Sequence, residues 1–514
     1  MPNPSRPRLW LGVIIALAIV ARLLFLWAGR PEFVGWFNHT YYYYVEVRGL
    51  LLQGALPYSD MPLLFYLYAG TARLLSGVGM ELSAAIVAAT RFWMCIIPSL
   101  IPLPVYATLR LINQGRKLDF HLWALVVASG FLPLTVLYLP EFLQKNTLGL
   151  LELALLLWLS RQALANFSWK KAAALALIFL LIVLTHFGSA GVAVLGGFAL
   201  LLAFAALRTD PAGTLRMAGA SMLGLVMFLG LIYLFDPTRF LRVIIYLQAS
   251  WKTSFLGLLF SREAVGAARW SALAGTVIPL LAAGGLYGLY RRQRAKLPAP
   301  DRLFWLSLII WAYLLILPVY DQLLLGRLAL FLPLPLLLIL AYLLTYANWK
   351  PWLRTALVTL VIAGTGLLLF GEFMSRQQHN PNKTEIYADL LTLKAKVDFS
   401  PDDLILARNG VEHVGNWFLG ARAGVITALQ REDFDTYARI FILNPAEGRF
   451  DPSAFDGRQA AHEADRYFFM LHNIPPPAGA DTLYRSPYLE LFRLPEPPTE
   501  WVFDETGQWM GYNQ

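Results

Sequence analysis

The sequence has a single cysteine, Cys95, in 514 residues, so neither an intramolecular disulfide nor a cysteine-based metal site is open to it. Charged residues are scarce, 15% of the chain against 57% hydrophobic, and that balance excludes a water-soluble enzyme of this length. The seven histidines are scattered and none forms an HExxH or other recognised ligand spacing, so no metal site is expected from them. Walker and Rossmann glycine fingerprints are missing, which disfavours nucleotide-driven transport. There is no internal repeat, coiled coil or low-complexity tract.

What the chain does contain is long apolar runs, separated by short polar turns, from Leu9 to Phe370. Many last about 20 residues, the length a helix needs to cross a bilayer core. The expected fold is a polytopic α-helical membrane protein of about eleven spans, placed at 9–29, 84–112, 121–139, 147–164, 172–187, 190–207, 218–235, 271–290, 303–320, 328–347 and 355–372. The segment 62–78 is short and carries Arg73. If it does not cross, Arg6 and Arg8, Arg116 and Lys117, Lys170 and Lys171, Arg208 and Arg216, Arg291 to Lys296, and Lys350 with Arg354 all fall on one side. That is the positive-inside pattern, and it assigns the net charge of +9 to cytoplasmic loops rather than to nucleic-acid binding. Segment 62–78 is therefore expected to be a re-entrant or interfacial helix on the outer side. The basic N-terminus runs into an apolar stretch too long for a signal-peptide core and is read as a retained first span. The expected location is the cell (inner) membrane, with the N-terminus cytoplasmic and the tail extracytoplasmic.

Residues 1–372 form the expected transmembrane domain, with outer loops at 30–83 and 236–270. Residues 373–514 form a soluble tail of about 140 residues, expected to be a small α/β domain. Ile386, Leu390, Leu393 and Val397 recur at helical spacing. Candidate strands follow at 404–407, 425–429, 439–443, 466–471 and 488–494, with VEHVGNWFLG as a helix between the first two.

In the first outer loop, Tyr43, Val47, Leu50 and Leu51 share one helical face and Glu46, Gly49 and Gln53 another, with Gly54 and Pro57 closing the helix. The pattern predicts an amphipathic helix on the membrane surface, with Asn38 and His39 at its N-terminus, where a phosphate or carboxylate is favoured or where Asn38 simply caps the helix. Asp60 stands at the mouth of the next helix, to accept a proton or to cap. In the second outer loop Glu141, Lys145 and Asn146 lie close together, and Lys145 is in reach of Glu141 across one turn. His186, in LTHFGSAG, joins two apolar runs as a site residue or as a hydrogen bond between helices. Loop 236–270 carries Arg239, Arg242, Lys252, Arg262 and Arg269 among apolar residues, a pattern suited to an anionic lipid headgroup or to ordinary snorkelling. Arg327 is a further phosphate candidate.

In this order of features the sequence resembles the GT-C class of integral-membrane glycosyltransferases, which includes the protein O-mannosyltransferases and the lipid A aminoarabinose transferases. The resemblance covers residues 9 to about 235 well and the rest in outline. It rests on Arg22 in the first span, on His39, Tyr43, Val47 with Arg48, Leu51, Leu52, Gly54, Pro57, Tyr58, Asp60, Pro62, Leu63 and Tyr66 in the first loop, and then on Arg91, PEFLQKN and His186. It implies a polyprenyl-phosphate-linked sugar donor, a lipid, glycan or protein acceptor and contact with membrane lipids. It also implies displacement at the anomeric carbon, with a first-loop carboxylate as base and cations around the leaving phosphate. Some related transferases use a divalent metal, and one held by carboxylates stays open here, although no cofactor is assigned.

The sequence departs from the pattern where it matters most. The usual first acid is Asn38 or His39, and the lysine that follows the second acid in the lipid A enzymes is Met61. Either the base is His39, Asp60 or Glu141, or transfer activity is lost. Substrate-binding candidates are Asn38, Arg48, Lys145, Asn146, His186, Arg239, Arg242, Lys252 and Arg327. The alternatives are a non-catalytic scaffold and a lipid or polysaccharide transporter in envelope-glycan assembly.

Overall fold

The computed structural model describes residues 5–29, 40–58, 60–137, 143–207, 254–260, 267–320, 322–377, 381–408, 410–424, 436–446 and most of 473–494, together with short strands at 501–503 and 509–512 and four isolated positions between 219 and 233. In chain order the helices are α1 (Ser5–Gly29), α2 (Thr40–Gln53), α3 (Leu63–Gly77), α4 (Leu82–Ser99), α5 (Pro102–Ile112), α6 (Phe120–Ser129), α7 (Pro133–Leu137), α8 (Gln144–Ala165), α9 (Trp169–Thr185) and α10 (Phe187–Leu207). They continue as α11 (Phe255–Phe260), α12 (Ala267–Gln293), α13 (Ala299–Leu314), α14 (Gln322–Ala329), α15 (Pro333–Tyr346), α16 (Pro351–Gln377), α17 (Pro381–Lys396) and α18 (Val411–Leu419).

Among the described residues, seven helical segments are long and apolar enough to cross a membrane: 7–27, 82–112, 120–137, 144–165, 187–207, 269–296 and 351–375. The expectation of about eleven crossings exceeds this number. Three of the other expected spans coincide with shorter helices, α9 of 17 residues, α13 of 16 and α15 of 14. Expected span 328–347 is interrupted between α14 and α15, where Pro333 and Pro335 open the second helix. Expected span 218–235 lies almost wholly outside the described residues. Segment 62–78 forms α3, 15 residues long and not among the crossing helices, with Leu64, Phe65, Tyr68, Ala69 and Ala72 buried and Arg73 exposed.

Two crossing segments are broken, and one side chain serves both breaks. The 82–112 segment bends between Pro98, inside α4, and Pro102, which opens α5; the 120–137 segment is interrupted at Gly130–Leu132. Arg22 of α1 is 1% exposed. One of its terminal nitrogens donates to the Ala18 carbonyl (3.1 Å) and to Ser99 Oγ (3.2 Å). The other donates to the Gly130 carbonyl (2.7 Å) and to Thr135 Oγ1 (2.9 Å). Gly130 follows the last residue of α6, so its carbonyl has no partner within the helix, and the guanidinium supplies the missing donor.

Among the described residues the tail forms a five-stranded sheet in the order β2-β1-β3-β5-β4, with β1 (Asp403–Leu406), β2 (Arg422–Gly424), β3 (Arg439–Pro445), β4 (Asp481–Arg485) and β5 (Leu489–Leu494). β1 runs parallel to β2 and β3, and β5 runs antiparallel to β3 and β4. A separate pair, β6 (Trp501–Phe503) and β7 (Trp509–Tyr512), follows. The expected strands at 404–407, 439–443 and 488–494 and the helix between the first two all form; those at 425–429 and 466–471 fall outside the described residues. Alternation along the strands separates two faces. Leu404, Leu406, Ile440 and Ile442 pack on one side, while Ile405, Phe441, Leu443 and Leu491 pack on the other.

That second face shares a core with the membrane-proximal helices. Tyr41, Tyr43 and Val47 of α2, Leu64 and Tyr68 of α3 and Ile86 of α4 pack in one cluster with Ile386, Leu390, Val411, Val414 and Leu491 of the tail. The bundle has its own core, built from α5, α6, α8, α10, α13 and α15. The tail is therefore a roof seated on α2 and α3.

Replacing Arg22 by Met, of similar length but without donors, should strip the Ala18 and Gly130 carbonyls of their side-chain partner and cost about 3 kcal/mol. Thermal unfolding of the detergent-solubilised protein checks this, a melting temperature equal to wild type being the contrary result.

Candidate functional site

The site forms where α2, the turn after it, α3, the start of α8 and the roof helix α18 meet. The turn is tight because Gly49 has no side chain: a Cβ there would stand 2.3 Å from Pro57 Cγ, and Gly54 takes φ +74°. Tyr58 and Asp60 are thereby folded back over α2. The Tyr58 N–H donates to Glu46 Oε2 at 3.4 Å. Asp60 Oδ1 accepts from the Met61 N–H at 2.7 Å. Its Oδ2 accepts from the Tyr42 hydroxyl and forms an ion pair with Lys145 Nζ. The side chains of Asp60 and Lys145 are 13% and 11% exposed, so this pair is largely withdrawn from water.

Lys145 is held from several directions. Its Nζ lies 5.4 Å from the centre of the Tyr42 ring and 5.6 Å from that of Phe65, a cation–π environment. Its backbone N–H donates to the Tyr43 hydroxyl at 3.4 Å, and the Tyr68 hydroxyl donates to the neighbouring Gln144 at 2.8 Å. The first turn of α8, whose N–H groups have no partner within the helix, is thus pinned against α2 and α3.

The roof contributes His413 and Glu412. The His413 ring stands 5.2 Å from both the Tyr42 and the Tyr58 rings, and its Nε2 is 3.4 Å from Glu412 Oε1. Tyr58 donates its hydroxyl to the Ala423 carbonyl of β2 at 2.9 Å. Arg48 clamps the far end of α18, donating to the Asn416 carbonyl (2.6 Å), Asn416 Oδ1 (2.6 Å) and the Trp417 carbonyl (3.1 Å) while lying 5.0 Å from the Trp417 ring centre.

The same burial drives the carboxyls apart. It pushes Asp60 up, but the Lys145 amine, the Tyr42 hydroxyl and the Met61 N–H outweigh it and hold this carboxyl below the ordinary range. Glu46, fully buried with Oε1 lacking a hydrogen-bond partner, is raised by burial to about 8, with the Tyr58 N–H and Tyr42 opposing and the Asp60 charge adding to the rise. Burial likewise raises Glu412 to about 8. The Tyr42 and Tyr58 hydroxyls are pushed up by burial and then by the carboxylates facing them. Near neutrality the site holds one ionised carboxylate, Asp60, between an amine and a neutral hydroxyl, with two protonated carboxyls close by.

Of the residues singled out from sequence, the structure brings Asp60 and Lys145 together, with Asn146 buried beside Lys145 on α8. Lys145 pairs here with Asp60; Glu141, its expected partner, lies outside the described residues, as do Asn38, His39, Arg239, Arg242, Lys252 and Arg262. Arg48 is turned toward α18, and Arg327 is exposed on α14. His186 accepts the Ser189 N–H at Nδ1 (3.2 Å), closing the start of α10 as a cap does. One expectation is corrected. α2 runs over Thr40–Gln53 as foreseen, but it is no half-wet surface helix: Glu46 and Gly49, on its polar face, are buried because the turn and the roof cover them. Sequence reasoning passed over Tyr42, Gln144, Glu412 and His413 and took Glu46 only as part of a polar face. Glu46 left one signal, an acid within the aromatic run YYYYVEV, whereas His413 left none. Among the described residues no group of three or more His, Cys, Asp or Glu is placed to hold a metal ion.

No family model matches this chain, and no curated protein matches it. Among solved structures it is similar to ArnT from Cupriavidus metallidurans bound to undecaprenyl phosphate, with a TM-score of 0.51 and 13% sequence identity, over 94% of this chain and 98% of that one. The likeness is one of fold alone, extending over nearly the full length of both chains.

Two outcomes follow from the geometry. Glu46 and Glu412 keep their protons to higher pH folded than unfolded, so the folded protein binds more protons between about pH 4.5 and 8 and its stability falls as pH rises through that window. A Glu46→Gln, Glu412→Gln variant should flatten the melting temperature against pH there, measured by thermal unfolding. Arg48→Ala should free the end of α18, raising hydrogen exchange over 411–419 relative to β1 and β3; unchanged exchange would contradict the clamp.

Proposed function

We propose that the protein is a membrane glycosyltransferase that moves a sugar from a polyprenyl-phosphate carrier to an acceptor on the extracytoplasmic face, with Asp60 and Lys145 at the centre of its site. The observation that carries this reading is the withdrawn Asp60–Lys145 pair beneath the tail. The overall fold, similar to that of an undecaprenyl phosphate-bound transferase, supports it. So does the gathering of basic clusters at the far ends of α5, α8 and α12, which favours an outer position for the roofed end by the positive-inside tendency.

In this reading Asp60 takes the proton of the acceptor hydroxyl as the acceptor oxygen bonds to the anomeric carbon. The bond from that carbon to the carrier oxygen breaks, and the phosphate leaves with the electron pair, held by Lys145 and the first turn of α8. Lys145 takes the part that the resemblance gives to the lysine missing at Met61. The pair also provides a switch. A phosphate that draws the amine away removes the strongest influence holding Asp60 ionised, and burial then makes the carboxylate a stronger base. Residues 1–372 supply the carrier site and 373–514 its cover. His39 and Glu141 stay candidates for direct roles, with Asn38, Arg239, Arg242, Lys252 and Arg327 as further contacts to the carrier.

The test is transfer from a polyprenyl-phosphate sugar to acceptor lipids by protein reconstituted in liposomes. Asp60→Asn should lower kcat roughly 10²- to 10⁴-fold, the usual scale for a lost general base. Lys145→Ala should lower kcat/KM for the carrier by a factor on the order of 10². Transfer at the wild-type rate by both variants would remove these residues from the chemistry and favour a scaffold.

A further inference from the structure

The end of the bundle away from Asp60 carries a second polar feature. The 82–112 segment begins beside α2 and α3 and ends at Ile112, so the turn after it lies at the opposite end of the bundle. Between this turn and the one joining α15 to α16 is a cavity of about 350 Å³, lined by Asn113, Arg116, Asp119, Thr345, Tyr346 and Arg354 among others. Gln114 takes φ +54° and Gly115 φ +74° as the chain bends around its rim, where the Gln114 amide donates to the Tyr346 hydroxyl at 3.2 Å.

The charges facing the cavity are unbalanced. Asp119 is its one acid, and it is already engaged: Oδ1 accepts the Leu122 N–H at 3.0 Å, and Oδ2 accepts from Arg354 at 3.0 Å with His121 Nδ1 at 3.6 Å. Against it stand Arg116 and Arg354 in the lining, with Lys117 and Lys350 exposed in the adjoining turns. The Arg354 Nε is buried and has no hydrogen-bond partner. A cavity with two guanidiniums, one of them incompletely satisfied, is suited to phosphate oxygens.

An apolar furrow along the exposed side of α16, lined by Trp352, Thr355, Ala356, Thr359, Leu360 and Ala363, starts at the same end of that helix as the cavity's Arg354. The spacing puts these residues on one helical face, with Trp352 65% and Leu360 69% exposed. His121 links the two features: its Nδ1 is 3.6 Å from Asp119 of the cavity and its Nε2 is 3.3 Å from the Thr355 hydroxyl of the furrow. A free phosphate would use only the cavity, whereas a phospholipid has both an anionic head for the cavity and a chain for the furrow.

We propose that this seam between α6 and α16 is a binding site for an anionic membrane phospholipid, with its phosphate between Arg116 and Arg354 and an acyl chain along Trp352–Ala363. The site is separate from the proposed carrier site and does not depend on it.

The test takes the full chain reconstituted in vesicles of phosphatidylcholine and phosphatidylglycerol (PG), extracts it in mild detergent and counts retained lipids by native mass spectrometry. Wild type should keep PG in preference to phosphatidylcholine. Arg116→Gln, in an exposed turn away from the packed core, should reduce PG retention about tenfold, and Thr359→Trp, which fills the furrow, should reduce it similarly. Arg291→Gln, an exposed arginine outside the cavity, should leave it unchanged. Retention equal to wild type in both Arg116→Gln and Thr359→Trp would overturn the proposal. Inorganic phosphate displacing PG while Thr359→Trp binds normally would also overturn it, by assigning the cavity to phosphate alone.

Discussion

An ion pair held out of water sets the terms for the rest of this molecule. Withdrawing a carboxylate and an amine from water is costly, and the pair endures only if its remaining donors and acceptors are met. Around Asp60 and Lys145 they are met by the Tyr42 hydroxyl, the Met61 N–H and the aromatic rings of Tyr42 and Phe65. Those partners come from α2, its turn, α3 and α8, and the tail closes over them. The tight turn at Gly49–Pro57, the pinned start of α8 and the Arg48 clamp all keep that enclosure in register.

The bundle and the roofed site use the same economy of polar groups at different depths. Arg22 joins two interrupted segments by donating only to neutral oxygens, and at one break it gives the Gly130 carbonyl a donor that the helix does not. Asp301 joins α8, α13 and α15 by taking Arg161 at 2.9 Å and the Tyr342 hydroxyl at 2.7 Å. Apart from the bond to Ala18 within α1, these contacts link segments distant in sequence. Such links fix relative helix positions in lipid, where apolar surfaces alone give little direction.

What the sequence made legible follows from the range of each signal. Apolar runs report a helix and its length locally, so seven of the eleven expected spans, α2 and much of the tail's strand pattern were readable. Asp60 and Lys145 were readable as ionisable residues in a chain that has few, but their pairing was not, because it depends on how α8 meets the turn after α2. Glu46 was assigned to a polar face because the helical pattern cannot tell water from a covering domain. His413 and Glu412 lie far along the chain in a helix whose pattern marks only a packed face. The interruptions at Pro98–Pro102, Gly130–Leu132 and Pro333 are all written in proline, Pro133 opening α7 after the second.

The shared core of α2, α3 and the tail also has a bearing on biosynthesis. Tyr41, Tyr43, Leu64 and Tyr68 are made well before the strands and helix that cover them, with Val411, Val414 and Leu491. While the intervening residues are translated the nascent chain carries this apolar face without its cover, and the membrane interface or a chaperone has to shelter it. The order of synthesis thus makes the tail's arrival the event that closes this face, and chains truncated before the tail leave the ribosome with it still bare.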